Sequence, residues 1–399
     1  MSNENTSERE KSNSNYSPSV FENWDDIDNI NPRLLRGIYA YGFEHPSPIQ
    51  KKAILPILDG KDIIAQAQSG TGKTGAFVVG ALQLVDTESD TTQAMIIAPT
   101  RELSKQIYDV TNKLGQMVKG LRVRLLIGGT SAEADISELK NNVPHIVVGC
   151  PGRIHDMMRR QHIVSKNIKF LILDEADEML SSGFKEQIYN IFQYLNNEVQ
   201  VGLFSATMPP ELYKLTEKFM RDPVKILVKT DMLTLEGIAQ YYIALEDDSQ
   251  KYMTLKDIYG TISMSQCIIY CNSIKRVGDL YEAMKEDNFP VCCIHSGMEQ
   301  EERESGYSAF KKGEFRVLIS SNVTARGIDI QQVSTVINFD IPKDIHTYIH
   351  RIGRSGRWGR KGVGINFITR RDYKKVKDIE AHYNTQIKEL PGDFVITEQ

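Results

Sequence analysis

The feature that most narrows the fold is an alternation: short apolar, β-rich runs recur along the chain, each followed by a segment of helical character. A first series occupies Asp62 to Ala67, Ala94 to Ala98, Arg122 to Ile127, His145 to Gly149, Phe170 to Leu173, Gln200 to Phe204 and Lys225 to Val228. The series restarts at Gln240 to Leu245 and runs on through Cys267 to Cys271, Val291 to Ile294, Arg316 to Ser320, Thr335 to Phe339 and Gly362 to Ile368. Strands separated by helices make βαβ units, whose crossovers force neighbouring strands to run parallel. The expected fold class is therefore α/β, with two tandem units, each a parallel sheet with helices on both faces. Residues 1–20 read as a disordered tail, too polar to fold alone. The first unit spans 21–228, a charged linker without a core-strand run spans 229–237, and the second unit spans 238–399.

A length of 399 residues suits two to three domains, and 48 basic against 52 acidic residues exclude a basic coat over the whole surface. Any nucleic-acid site must be local. Apolar runs such as Ile146 to Val148 and Phe170 to Leu173 are strand-sized, far below the roughly 20 residues that span a bilayer, so no membrane segment is expected. Five cysteines, Cys150, Cys267, Cys271, Cys292 and Cys293, form an odd set without a CxxC pair, which indicates a reducing compartment. The spacing of Cys267, Cys271, Cys293 and His295 matches no common zinc pattern, and they read as small buried hydrophobes.

Ala67-Gln68-Ser69-Gly70-Thr71-Gly72-Lys73-Thr74 joins the run ending at Ala67 to a helical stretch over Thr74 to Val85. That is the setting of a phosphate loop. Glycines let successive backbone N–H groups turn inward, the helix N-terminus adds positive potential, Lys73 reaches terminal phosphates and the Thr74 hydroxyl can ligate Mg²⁺. Asp174-Glu175-Ala176-Asp177 closes the run Phe170 to Leu173, at the strand end that faces the ligand crevice of such sheets. Asp174 is the candidate to share Mg²⁺ with Thr74, and Glu175 the candidate to orient or deprotonate the attacking water.

Asp174-Glu175-Ala176-Asp177, Ser205-Ala206-Thr207, Pro99-Thr100-Arg101-Glu102-Leu103 and the run His350 to Arg357 (HRIGRSGR) together resemble the DEAD-box family of RNA-dependent ATPases and helicases. The likeness extends from about Trp24 to the C-terminus. The stretches LRGIYAYGF (35–43), LTLEGI (233–238) and YIHRIG (348–353) are most similar to the subfamily of eukaryotic translation initiation factor 4A and its nuclear relatives. This resemblance implies two RecA-like domains that close over ATP and single-stranded RNA. It puts adenine against Phe43 and the Gln50 amide, and the phosphates over Ser69, Gly70, Thr71, Gly72, Lys73 and Thr74. It makes Arg354 and Arg357 arginine fingers, which contribute roughly 10³ to 10⁵ in rate where they act. It assigns Asp329 to the ribose, and Arg326 to a pairing with the first domain near Asp177, Ser205 and Thr207. His350 joins the same coupling network. With the loop and acids on one unit and the arginines on the other, closure must assemble the site, and ATP and RNA must strengthen one another's binding.

Candidate RNA contacts are Pro99, Thr100 and Arg101, then Gly128, Gly129, Gly152 and Arg153 in the first unit, and Asn272, Arg303 and Ser320 in the second. Each segment pairs a small residue that admits a phosphate with a polar or arginine donor, which suits grip without base reading. Stacking platforms are lacking there. Cys150 stands where the family usually has threonine and is left out for want of a hydroxyl. Between Lys343 and Lys377 basic residues far outnumber Asp344 and Asp372, but from Arg360 onward they read as a solvated face.

The sequence thus reads as an RNA-stimulated, Mg²⁺-dependent ATPase, an ATP-dependent RNA helicase that clamps single strands and opens short duplexes, in translation initiation. The alternative is a nuclear RNA clamp or a low-turnover helicase of splicing or ribosome biogenesis. Outside these stand a DNA helicase and a protein-remodelling ATPase. The expected protein is a cytoplasmic or nuclear monomer, off the membrane, held near closure by a scaffold of the initiation-factor 4G type.

Overall fold

A computed structural model describes residues 20–67, 70–181, 183–227, 238–262, 265–322, 333–353, 355 and 362–392. The linker 229–237, nearly all of the tail, and Ser69, Arg326, Asp329, Arg354 and Arg357 lie outside the described residues.

Strands β1 (Ile63–Gln66), β2 (Ala94–Ile97), β3 (Val123–Leu126), β4 (Ile146–Gly149), β5 (Phe170–Asp174), β6 (Gln200–Ser205) and β7 (Val224–Leu227) form one sheet in the order β3-β4-β2-β5-β6-β1-β7. A second sheet, β10-β11-β9-β12-β13-β8-β14, contains β8 (Ile238–Ala244), β9 (Gln266–Tyr270), β10 (Val291–Ile294), β11 (Val317–Ser320), β12 (Val333–Asn338), β13 (Gly362–Ile368) and β14 (Lys388–Glu389). Every pairing among the described strands is parallel. The expected α/β class is the one observed. β14, two exposed residues without an apolar side chain, is a strand the sequence does not announce.

Alternation along each strand explains why helices cover both faces. In the first sheet Ile63, Ile96, Val148 and Ile172 enter one apolar cluster, while Ile64, Met95, Ile97, Val147 and Leu171 enter the other. The second sheet divides likewise, with Ile268 and Leu318 on one side and Cys267, Ile269 and Cys271 on the other. Cys267 and Cys271 are core residues, and burial pushes both thiols up.

Strand order decides where chemistry can collect. The phosphate loop follows β1, the acidic run follows β5, and Ser205-Ala206-Thr207 follows β6, which lies between them. Ala65 and Asp174 both pair with Phe204, so the three segments leave the sheet side by side at its C-terminal edge. In the second sheet β10, β11 and β9 are neighbours, and their C-terminal loops carry the segments with Ser296, Ser321 and Asn272.

Candidate ATP and RNA sites

The phosphate loop enters the helix Lys73–Leu84 through Gly72, at a φ of 100°. Glycine alone is unstrained there, and a Cβ would come within 2.5 Å of Ser47 Oγ and 3.0 Å of Gln50 Nε2. The crowding has a purpose. Gln50 Oε1 accepts from the Ser47 N–H at 2.7 Å, a capping box that starts the helix Pro48–Leu58, and Gln50 Nε2 donates to the Gly72 carbonyl at 3.2 Å. One amide therefore ties the helix to the loop. Phe43 stands beside it, with its ring stacked at 6.2 Å on the buried Trp24 and the Tyr41 edge at 4.8 Å. Tyr39 Oη donates to Asp25 and Lys51 Nζ to Glu22, which fastens the Trp24 segment from both sides.

At the end of β5 the chain turns sharply, and Glu175 adopts a φ of 51°. A non-glycine residue takes that conformation only where its surroundings enforce it. Asp174 Oδ1 accepts from the Glu175 N–H at 3.0 Å. Lys73 Nζ lies 3.6 Å from Glu175 Oε1, in a pair with both side chains buried. That ammonium makes no hydrogen bond among the described residues, which leaves it available to a phosphate. Asp174, Glu175 and Asp177 are all buried. Burial pushes the Asp174 carboxyl up to about 7, with Lys73 opposing and the charges of Glu175 and Asp177 reinforcing the rise. Two buried acids, Asp174 and Glu175, beside one lysine suit a divalent cation, and Asp174 with the Thr74 hydroxyl are the candidates to hold it.

Asp177 serves a different purpose. Its Oδ2 accepts from Thr207 Oγ1 at 2.5 Å and lies 3.1 Å from His350 Nε2, and its N–H donates to Ser205 Oγ at 3.4 Å. His350 Nδ1 lies 3.7 Å from Glu175 Oε2. His350 belongs to the helix Ile345–Ile352 of the second α/β unit, so one buried imidazole bridges the acidic run across the cleft. Ligand atoms of Glu175, Asp177 and His350 come within 4.8 Å of one another, but at Asp177 the hydrogen bonds already account for the closeness.

Asp174 carries a pH prediction. Its folded pKa is raised from the ordinary 3.8, so the fold keeps its full stability below that pH and loses some as pH rises from there through about 7. A cation that requires the carboxylate binds better over the same range. Mg²⁺-nucleotide affinity is expected to rise by up to about tenfold per pH unit until pH 7, as read by titration calorimetry. Asp174→Asn should flatten the slope, and a flat slope in the unaltered protein would contradict the assignment.

Pro99, Thr100, Arg101, Gly128, Gly152 and Arg153, together with Cys150, line an open cavity of about 460 Å³ whose far wall carries Ser296 and Arg303. Thr100 Oγ1 accepts from the Leu103 N–H at 3.2 Å and caps the helix Arg101–Gly115. The Arg101 guanidinium lies on Gly128 and Gly129, the latter at a φ of 86°, where a Cβ would meet it at 2.5 Å. Arg153 donates to the Thr130 carbonyl at 2.8 Å and pairs with the buried Asp135. Cys150 Sγ lies 3.5 Å from Ser104 Oγ, and burial pushes its thiol up to about 11.

Two candidates of the second unit turn inward. Ser320 is buried and donates to the Ile294 carbonyl at 2.7 Å, and the Asn272 amide donates to the Ile341 carbonyl at 2.8 Å while accepting from Arg351 at 2.8 Å. Their side chains hold their own loops. Arg303 pairs with Glu102 across the cleft, a partner nothing in the sequence marks out. Sequence reasoning also passed over Arg351, although it sits in the HRIG run beside His350.

A family model described as DEAD/DEAH box helicase matches residues 47–215, and one described as helicase conserved C-terminal domain matches residues 250–359. "Eukaryotic initiation factor 4A" of Caenorhabditis elegans is 51% identical over 374 residues, which cover 93% of this chain and 92% of that one. The chain belongs to the DEAD-box helicase family. Its likeness to initiation factor 4A spans nearly the whole of both chains. Among solved structures of DEAD-box helicases, S. cerevisiae Dbp5 bound to RNA and ADP BeF3 superposes with a TM-score of 0.84 at 34% identity, covering 92% of this chain and 95% of that one. A point variant of Dbp5 bound to Nup159, a Gle1 variant, IP6 and ADP gives 0.61 at 31% identity, covering 92% and 96%. The two tandem sheets are thus the RecA-like pair of this family.

Proposed function

We infer that this chain is an ATP-dependent RNA helicase of translation initiation, whose ATP hydrolysis is coupled to clamping RNA between its two domains. The observation that carries the coupling is His350, which reaches Asp177 and Glu175 from the opposite domain. Only a closed molecule can make that contact. The arrangement also follows the RNA-bound form of Dbp5 more closely than the form bound to Nup159, Gle1, IP6 and ADP.

In this reading the domains divide at 229–237, adenine rests on Phe43 beside Gln50, and the phosphates lie over Gly70 to Thr74. Lys73 turns from Glu175 to the terminal phosphate, and Glu175 orients the attacking water. Asp177, Ser205, Thr207 and His350 report closure to that acid. Ser69, Arg326, Asp329, Arg354 and Arg357 complete the site as the resemblance implies. Thr74 and Asp174 hold Mg²⁺, which when bound neutralises phosphate charge during transfer. RNA passes through the cavity lined by Pro99, Arg101, Gly128, Gly152 and Arg153, gripped through its backbone and not its bases. Gly129 admits Arg101, Ser296 and Arg303 stand on the opposite wall, and the loops of Asn272 and Ser320 continue the RNA path beyond it. The chain acts as a cytoplasmic monomer, and a scaffold of the initiation-factor 4G type holds it near closure.

The test is ATP turnover with and without poly-U RNA, with poly-dT as the comparison. Stimulation of at least about tenfold by RNA alone is expected, with Glu175→Gln removing it. Equal stimulation by DNA would make it a DNA helicase, and none by either polymer a remodelling ATPase.

A further inference from the structure

We propose that the cleft carries a second interdomain latch on its RNA side, in which Lys105 and Glu304 position one domain over RNA held by the other. The proposal rests on RNA occupying the 460 Å³ cavity. The helices Arg101–Gly115 and Gln300–Lys311 face one another there from opposite domains. Arg303 pairs with Glu102, the two side chains 5% and 12% exposed. Lys105 Nζ lies 2.8 Å from Glu304 Oε2, with both side chains nearly half exposed. Glu102 and Lys105 are three residues apart on one helical face, and Arg303 and Glu304 are consecutive near the start of the opposing helix.

The signs cross. One helix presents acid then base and the other base then acid, so the observed register pairs opposite charges at both positions. A slip that exchanged partners would set Lys105 against Arg303 and Glu102 against Glu304. Repulsion in the wrong register makes the contact selective as well as attractive. The latch lies apart from the phosphate loop and the acids, so it favours the closed state without touching the reacting atoms. By linkage, a favoured closed state lowers the RNA concentration needed for half-maximal turnover and leaves the maximal rate alone.

The outer pair allows the test, because exposed side chains can be reversed in charge without disturbing a core. Lys105→Glu and Glu304→Lys are each expected to raise the half-saturating RNA concentration about three- to tenfold, with kcat unchanged, and the double exchange to restore it within about twofold. Both effects should shrink at high salt. Glu304→Lys is the deciding variant. It adds positive charge beside the cavity, so if attraction for phosphate were all that mattered it would tighten RNA binding. Tighter binding by Glu304→Lys, or failure of the double exchange to recover, overturns the latch. Absence of RNA stimulation in the unaltered chain removes the helicase reading itself, and the latch with it.

Discussion

Lys73→Ala is expected to lower RNA-stimulated ATP turnover by roughly 10² to 10³, the usual effect of removing one preorganised charge from a phosphoryl-transfer site. Lys73 is buried and faces Glu175 at 3.6 Å, and its ammonium makes no hydrogen bond among the described residues. It is therefore held where a terminal phosphate would meet it, with little to break before it turns. Its loss also removes the cation that restrains the Asp174 pKa, so Asp174 should titrate higher still in this variant. Steady-state turnover at saturating RNA tests the first point. Retention of wild-type turnover would show that the loop is not the phosphate site, whatever the family likeness.

Arg351→Met is expected to have the largest effect on stability, about 3 kcal/mol or more in the second domain. The side chain is wholly buried. Its guanidinium donates to Asn322 Oδ1 at 2.9 and 2.7 Å, to Asn338 Oδ1 at 3.0 Å, to the Asp340 carbonyl at 2.7 Å and to Asn272 Oδ1 at 2.8 Å, and it lies 5.2 Å from the Tyr270 ring centre. None of these hydrogen-bond acceptors is a carboxylate, and burial lowers the Arg351 pKa to about 10. Methionine would fill the volume and leave those acceptors unanswered. Lysine would keep the charge but could not fork to the same partners, so Arg351→Lys should lie close to Arg351→Met. Thermal unfolding followed by hydrogen exchange at β9 and β12 reads the loss where it occurs. An unchanged midpoint would mean that water replaces the arginine without difficulty.

The helical and strand elements were legible because their signals are local. Four-residue apolar runs such as FLIL at 170–173 and VCCI at 291–294 are too short for a helix and read as core strands, and the structure has them as strands within a residue of those bounds. The phosphate loop was legible for the same reason: Gly72 must be glycine because of its own backbone angle, and Lys73 begins the following helix. β14 escaped because two charged residues carry no periodicity.

Partners across the chain were not legible. Asn272 and Ser320 read as polar donors at strand ends, and so they are, but the fold turns them toward Ile341, Arg351 and Ile294. Arg303 read as a phosphate ligand, and the fold sets it on Glu102, far away in the sequence. By itself the sequence determined the two parallel sheets, the phosphate loop and the acidic strand end, because backbone angles, side-chain period and turn chemistry act over a few residues. The family resemblance already set His350 in one network with Asp177, and only the tertiary structure decided that its ring also reaches Glu175 and that Lys105 meets Glu304. Those contacts depend on strand order and on how one domain lies over the other, which is a sum over many weak packing terms and not a property of any local stretch.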